Sequence, residues 1–239
     1  MYRPRSYRNF TGGAGLIFFE VIEKETDLAI YALKDLGAQA RAAVMTLRRE
    51  LEDYIRSDPA FYSALEPVAL KSGAPAIVRT MAEASRKAGV GPMASVAGAV
   101  AEYVGRDLVR SSGEVIVENG GDIFMRTTEK RIVGIYAGER SPFTGKLFIE
   151  VGPAEDGLGV CTSSGTVSHS LSFGKSDAML IISKDAALAD AAATAAGNAV
   201  KSERDIGKGI AVAKSIEGVI GAVAIAGDKM ASWGGVKFV

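Results

Sequence analysis

The period of the apolar positions changes several times along the chain, and each change marks a boundary between predicted elements. Leu16–Glu23 and Leu28–Leu33 are two apolar-rich runs separated by the polar stretch Lys24–Asp27, the pattern of a β-hairpin. From Gly37 to Ser57 the period lengthens to that of a helix. Ala43, Val44, Leu47 and Leu51 form its apolar face, Arg41, Arg48, Glu50 and Asp53 its wet face, and Pro59 ends the pattern. A second helix is expected from Pro75, a favoured first-turn residue, to about Lys87, with Gly89 and Gly91 behind it. Pro92 opens a third, built of small residues through Ala94, Ala97, Ala101 and Val104.

The period then shortens. Glu114–Glu118, Asp122–Arg126, Ile132–Tyr136, Leu147–Val151, Val160–Thr162 and Met179–Ser183 read as short strands. Asp185–Asn198 is an Ala-rich helix closed near Gly197, and Ile206–Ser215 is a further helix. Val219–Ile225 and Val236–Val239 end the chain as strands. Strands precede, separate and follow helices. That predicts an α+β fold, a mixed α/β architecture with a largely antiparallel sheet. No Pro/Ser-rich linker or internal repeat divides the sequence, so residues 1–239 are expected to form a single domain.

Composition narrows the function classes. With 48% hydrophobic and 23% charged residues the chain is neither disordered, collagenous nor a coiled-coil rod. Its 28 basic and 28 acidic side chains cancel, so nothing draws it globally to nucleic acid or anionic membrane. The single cysteine, Cys161, excludes an intramolecular disulfide, and the single histidine, His169, excludes every two-His metal motif. Cys161 sits between Val160 and Thr162 with no neighbouring cation, the setting of a buried strand residue and not of a nucleophile. The apolar run Leu16–Ile22 is broken by Glu20, and Val219–Ala226 is far short of the roughly 20 residues a membrane helix needs. No membrane insertion and a cytoplasmic location are expected.

Three familiar motifs fail on inspection. Gly174-Lys175-Ser176 ends like a phosphate-binding loop, but the position of that loop's first glycine holds His169. Gly207-Lys208-Gly209 begins a dinucleotide fingerprint whose third glycine position is Val212. Ser172–Lys175 matches S-x-x-K without its S-D-N companion.

Three other segments stand out. Gly91–Gly98 places small residues at a helix start, suited either to a phosphate or to close helix packing. Glu118-Asn119-Gly120-Gly121-Asp122 pairs glycines that permit positive φ, for a ligand's close approach or for a tight turn. Thr162-Ser163-Ser164-Gly165 leads to His169. Beyond it, Asp190 and Thr194 stand four apart on one helical face, offering a carboxylate and a hydroxyl suited to Mg²⁺, or serving only the helix itself. Segments so far apart are expected to converge on one cleft.

Taken in order, Met93-Ala94-Ser95, Gly120-Gly121-Asp122, Val133-Gly134-Ile135, Thr162–Gly165, His169 and Ala189-Asp190-Ala191-Ala192-Ala193-Thr194-Ala195 resemble the ApbE-type FAD:protein FMN transferases. The chain looks closer still to a subgroup of short ApbE-like proteins with G-P-M-A, E-N-G-G-D and H-S-L-S-F-G-K. The resemblance implies a Mg²⁺-dependent enzyme that cleaves FAD and passes FMN to a Ser or Thr of an acceptor protein. It implies a metal on the Asp190 carboxylate, the Thr194 hydroxyl and the Ala94 carbonyl. Gly120, Gly121 and Asp122, with Ser163, Ser164 and Gly165, would line the flavin cleft, and His169 would lie beside the transferred phosphate, so His169 and Asp190 are the catalytic candidates. Two departures stand out: Ser95 replaces the family lysine, and His169-Ser170-Leu171-Ser172-Phe173-Gly174 lacks the family's Asp-Pro. A non-catalytic binding protein for a flavin or other phosphorylated metabolite is the alternative. A different enzyme built on His169 with Ser163, Ser164 or Cys161 is a third reading.

Overall fold

The computed structural model describes residues 14–166 and 172–239. An eight-stranded sheet runs in the order β1-β2-β3-β4-β7-β8-β9-β10, and every neighbouring pair is antiparallel. Its strands are β1 Ile17–Glu23, β2 Thr26–Ala32, β3 Val115–Asn119, β4 Asp122–Thr127, β7 Ala154–Ser163, β8 Ala178–Ser183, β9 Val219–Ala226 and β10 Lys229–Gly234. A small antiparallel sheet, β11-β6-β5, is formed by β5 Arg131–Gly134, β6 Phe148–Val151 and β11 Lys237–Phe238.

Side-chain alternation dictates the layers. On β8, Met179 and Ile181 join one core with α1 Gly37–Ser57, α3 Ala76–Ala88, α4 Val96–Val109 and α5 Ala186–Asn198. Ala178, Leu180 and Ile182 point the other way, into a second core with Val133, Ile149 and Val151 of the small sheet. The large sheet is therefore covered by helices on one face and by the small sheet on the other. All six residues of β8 are buried, which is why this strand reads as an unbroken apolar run. The edge strand β1 alternates exposed and buried positions instead.

The α+β class and the antiparallel sheet match the expectation from sequence, and α1 spans the residues expected of it. Strand bounds differ, β7 reaching back to Ala154 from the expected Val160 and β5 ending at Gly134 and not Tyr136, and three further features differ. Pro92 opens a 3-10 turn, Pro92–Ser95, and the α-helix starts only at Val96; the Ser95 hydroxyl donates to the Pro92 carbonyl at 2.8 Å and holds the tighter turn. Pro59 ends α1 and at once opens the short α2, Pro59–Ser63, because proline fits a helix's first turn. β10 had no apolar signature because it is an edge strand with mostly exposed side chains, joined to β9 through Gly227 at φ 61°. The last helix is α6, Ile206–Ser215.

Candidate functional site

The site candidates meet at one end of the large sheet. The antiparallel registers put the start of β4, the end of β7 and the start of β8 side by side. Gly120 and Gly121 form the two-residue loop of the β3–β4 hairpin, with φ of 68° and 103°, conformations that glycine adopts without strain. The Gly121 amide donates to the Glu118 carboxylate at 2.6 Å, and Asn119 donates to the Ala97 carbonyl at 3.1 Å. The hairpin is thus tied to the start of α4. Asp122, the next residue, is buried, and its Oδ1 accepts from the Thr162 amide at 3.2 Å.

Asp190 approaches from the helix layer. The Asp185 side chain caps α5 by accepting from the Leu188 amide at 2.9 Å, and Asp190 follows in the next turn. Its Oδ2 accepts from the Gly98 amide at 2.9 Å, so a carboxylate of α5 satisfies an otherwise orphaned donor at the start of α4. Gly98 is what allows this approach: a Cβ there would stand 2.8 Å from the Asp190 Cβ and collide with the Ala186 carbonyl. Thr194 is one turn further along α5 and half-buried, and the turn Pro92–Ser95 carrying Ala94 packs against the same helix.

The electrostatics of the two aspartates are unusual. Burial pushes the Asp190 carboxyl up to about 7, against the opposing pull of the Gly98 and Ala97 amides. Burial and the neighbouring Asp190 charge push Asp122 well above the ordinary carboxylate range, although the Thr162 amide and the Cys161 thiol act the other way. No Lys or Arg side chain forms a salt bridge with either among the described residues. Two buried carboxylates without a counter-cation must hold a proton or receive a positive charge from outside. A carboxylate, a hydroxyl and a carbonyl suit a hard cation that completes its shell with water and phosphate. Among the described residues, no cluster of three His, Cys, Asp or Glu side chains could hold a metal ion.

Ser163 ends β7, paired with Met179, and Ser164 and Gly165 follow it. Ser164 is buried and its hydroxyl accepts from the Thr166 amide at 3.2 Å. The Gly165 amide donates to the Ser176 carbonyl at 2.9 Å. A cavity of about 620 Å³ opens at this end of the sheet, bordered by Tyr136, Glu139, Arg140, Thr166, Asp177 and Gly227. Asp177 braces its wall by accepting from the Thr166 hydroxyl at 2.8 Å and the Gly227 amide at 2.7 Å.

Asp122 therefore adjoins both Thr162 and Asp190, with Gly120 and Gly121 beside it in the hairpin loop and Ser163, Ser164 and Gly165 following Thr162 along the chain; His169 lies outside the described residues. Ser95 is buried, and its hydroxyl is committed to the turn. Cys161 is buried, donates to the Ala186 carbonyl at 3.3 Å, and is pushed well up by burial and by the charges of Asp122 and Asp190, all of which disfavour the thiolate a nucleophile needs. Sequence reasoning missed Glu118, Asn119 and Gly98 as supports of the site. Glu118 and Asn119 were visible beside the paired glycines.

The family model described as AbpE bacteria matches residues 8–227. A UPF0280 protein of Methanocella arvoryzae is 45% identical over 212 residues, covering 88% of this chain and 86% of that protein. A UPF0280 protein of Methanocaldococcus jannaschii is 41% identical over 217 residues, covering 88% and 87%. Among solved structures, the apo form of the Pseudomonas stutzeri flavinyl transferase ApbE superposes with a TM-score of 0.62 at 12% identity, covering 92% of this chain and 94% of that one. The ApbE protein of Thermotoga maritima gives a TM-score of 0.55 at 13% identity, covering 90% and 96%. At such identities the structural likeness speaks for the fold, while the family model and the UPF0280 relatives span most of the sequence: the chain belongs to the AbpE bacteria family.

Proposed function

We propose that the protein binds a flavin nucleotide together with Mg²⁺, and that it hydrolyses FAD or transfers FMN to a Ser or Thr of an acceptor protein. The observation that carries this reading is the buried pair Asp122 and Asp190, which has no counter-cation among the described residues and borders a Ser- and Gly-rich strand end. On this reading Asp190, Thr194 and the Ala94 carbonyl hold Mg²⁺. The ion would supply neutralisation of charge developing on a pyrophosphate. The chain's own residues orient and enclose. Gly120 and Gly121 leave the hairpin tip without side chains, so a ligand can approach backbone there. The amides of Gly98 and Thr162 hold the two carboxylates in fixed directions. No described helix is long and apolar enough to cross a membrane.

A non-catalytic binder of a flavin or another phosphorylated metabolite is the second reading. It is favoured by Ser95, whose buried hydroxyl stands where the resemblance implies a lysine and supplies no cation to a phosphate. Chromatography of FAD incubated with the pure protein, with and without Mg²⁺, separates the two. Mg²⁺-dependent appearance of AMP and FMN, lost in Asp190→Asn, is the expected result. Retention of intact FAD on the protein without turnover supports the binder. Neither retention nor turnover overturns both.

A further inference from the structure

We propose that Glu102 is a positioning residue for the carboxylate site, because Glu102 and Asp190 cap each other's helices and thereby fix where the Asp190 carboxylate stands. α4 and α5 run antiparallel, with Gly98 beside Asp190 and Glu102 beside Ala186. Glu102 Oε2 accepts from the Ala186 amide at 2.8 Å and the Ala187 amide at 3.4 Å, the first two donors of α5. In the reverse direction, Asp190 accepts from Gly98 at the start of α4. Each helix's positive N-terminal end thus meets a carboxylate from the other.

Glu102 is only 6% exposed, in a helix otherwise built of small and apolar residues at its buried positions. A solvated surface role does not account for it. Its second oxygen, Oε1, is held by Arg106 Nε at 2.8 Å and Nη2 at 2.7 Å. The Arg106 guanidinium lies 5.3 Å above the Phe124 ring, and Phe124 is two residues from Asp122 on β4. One oxygen of Glu102 is therefore anchored toward the strand that carries Asp122, and the other to the helix that carries Asp190. There is little slack, since a Cβ on Gly105 would run into the Phe124 ring and one on Gly98 into α5.

A plain local cap would stabilise only the start of α5. A positioning residue must also control the far end of the pair, the Asp190–Gly98 hydrogen bond. Native-state amide exchange followed by NMR distinguishes them in Glu102→Ala and Glu102→Gln. In Glu102→Ala, exchange at Gly98 should accelerate about tenfold together with Ala186 and Ala187, while Glu102→Gln, whose carbonyl still accepts, stays close to the native rates. Acceleration confined to Ala186 and Ala187 would overturn the proposal. Should Glu102→Ala fail to fold, Glu102→Asp, shorter by one methylene, is read the same way.

Mn²⁺ binding measured by electron paramagnetic resonance is the second arm, and this arm rests on the proposed cation role of Asp190. The dissociation constant should rise about tenfold in Glu102→Ala and recover in Glu102→Gln, as loss of a supporting partner does at metal sites. If Gly98 loosens while Mn²⁺ affinity stays unchanged, or if the native protein binds no Mn²⁺, the positioning role stands and the metal reading falls.

Discussion

Two buried acidic clusters stand at opposite ends of the β3–β4 hairpin, and the protein treats them differently. At the start of β3, Glu114 pairs with Arg131 and accepts from the Thr128 hydroxyl, and Arg131 also donates to the Ala14 carbonyl at 2.8 Å. Burial alone would raise Glu114, but Thr128 and Arg131 outweigh it and hold its carboxyl below the usual range. At the start of β4, Asp122 stands beside Asp190 with no ion-paired Lys or Arg among the described residues, and both are raised. The first cluster is electrostatically complete and ties the small sheet to the large one. The second needs a proton or an external cation. Burial of acids is common to both, so burial alone does not mark a functional site; missing compensation does.

The largest effect should come from breaking the complete cluster. Arg131→Ala strands the Glu114 charge in a site where both partners are less than a tenth exposed. It should cost about 3–5 kcal/mol in denaturant unfolding, whereas the same experiment on a surface pair such as Arg86–Glu83 should show under about 1 kcal/mol. A loss below about 1 kcal/mol in Arg131→Ala would remove the distinction between the clusters.

The second cluster can be broken sterically. Gly98→Ala drives a methyl into the Ala186 carbonyl and the Asp190 Cβ. It should destabilise by about 1–3 kcal/mol, despite alanine's better helix propensity. A melting temperature at or above that of the native protein would show that the helix pair yields at no cost.

A smaller and opposite effect sharpens the contrast. Because the folded protein holds the protons of Asp122 and Asp190 to higher pH than the unfolded chain does, folding binds protons between the two sets of values. Both contributions are fully present below about pH 4; that of Asp190 is lost as pH rises through about 7, and that of Asp122 as pH rises above the ordinary carboxylate range. Asp122→Asn keeps an acceptor for the Thr162 amide and removes the repulsion. It should therefore stabilise the metal-free protein at pH 8 by about 1–2 kcal/mol and flatten the decline from pH 4 to 7. Destabilisation at pH 8 would mean that the pair is already compensated.

Much of this was legible from residue order. The two-sided burial of β8 and β9 shows as unbroken apolar runs, and the helical period of α1 predicts its span. The segments Gly120-Gly121-Asp122 and Asp190–Thr194 are expected to converge on one cleft, and Asp122 and Asp190 do stand within electrostatic reach of each other. What the sequence hides is long-range pairing. Nothing local links Glu102 to Ala186 or Asp190 to Gly98, because those contacts exist only once two small-residue helices lie against each other. The sole cue to Glu102 was an acidic residue inside an otherwise small and apolar stretch. Asp190 also carries a structural duty that its spacing from Thr194 does not reveal, as the cap of α4.

The central claim is that the uncompensated pair receives a cation shared with a nucleotide's phosphates. Calorimetric titration of FAD into the native protein and into Asp190→Asn, each with and without Mg²⁺ at pH 8, tests it most directly. The asparagine still offers an oxygen to the Gly98 amide, so the fold should be retained. Mg²⁺ should tighten FAD binding about tenfold or more in the native protein and have no effect in the variant. FAD affinity that ignores Mg²⁺ in the native protein, or a Mg²⁺ effect that survives in Asp190→Asn, would contradict the account.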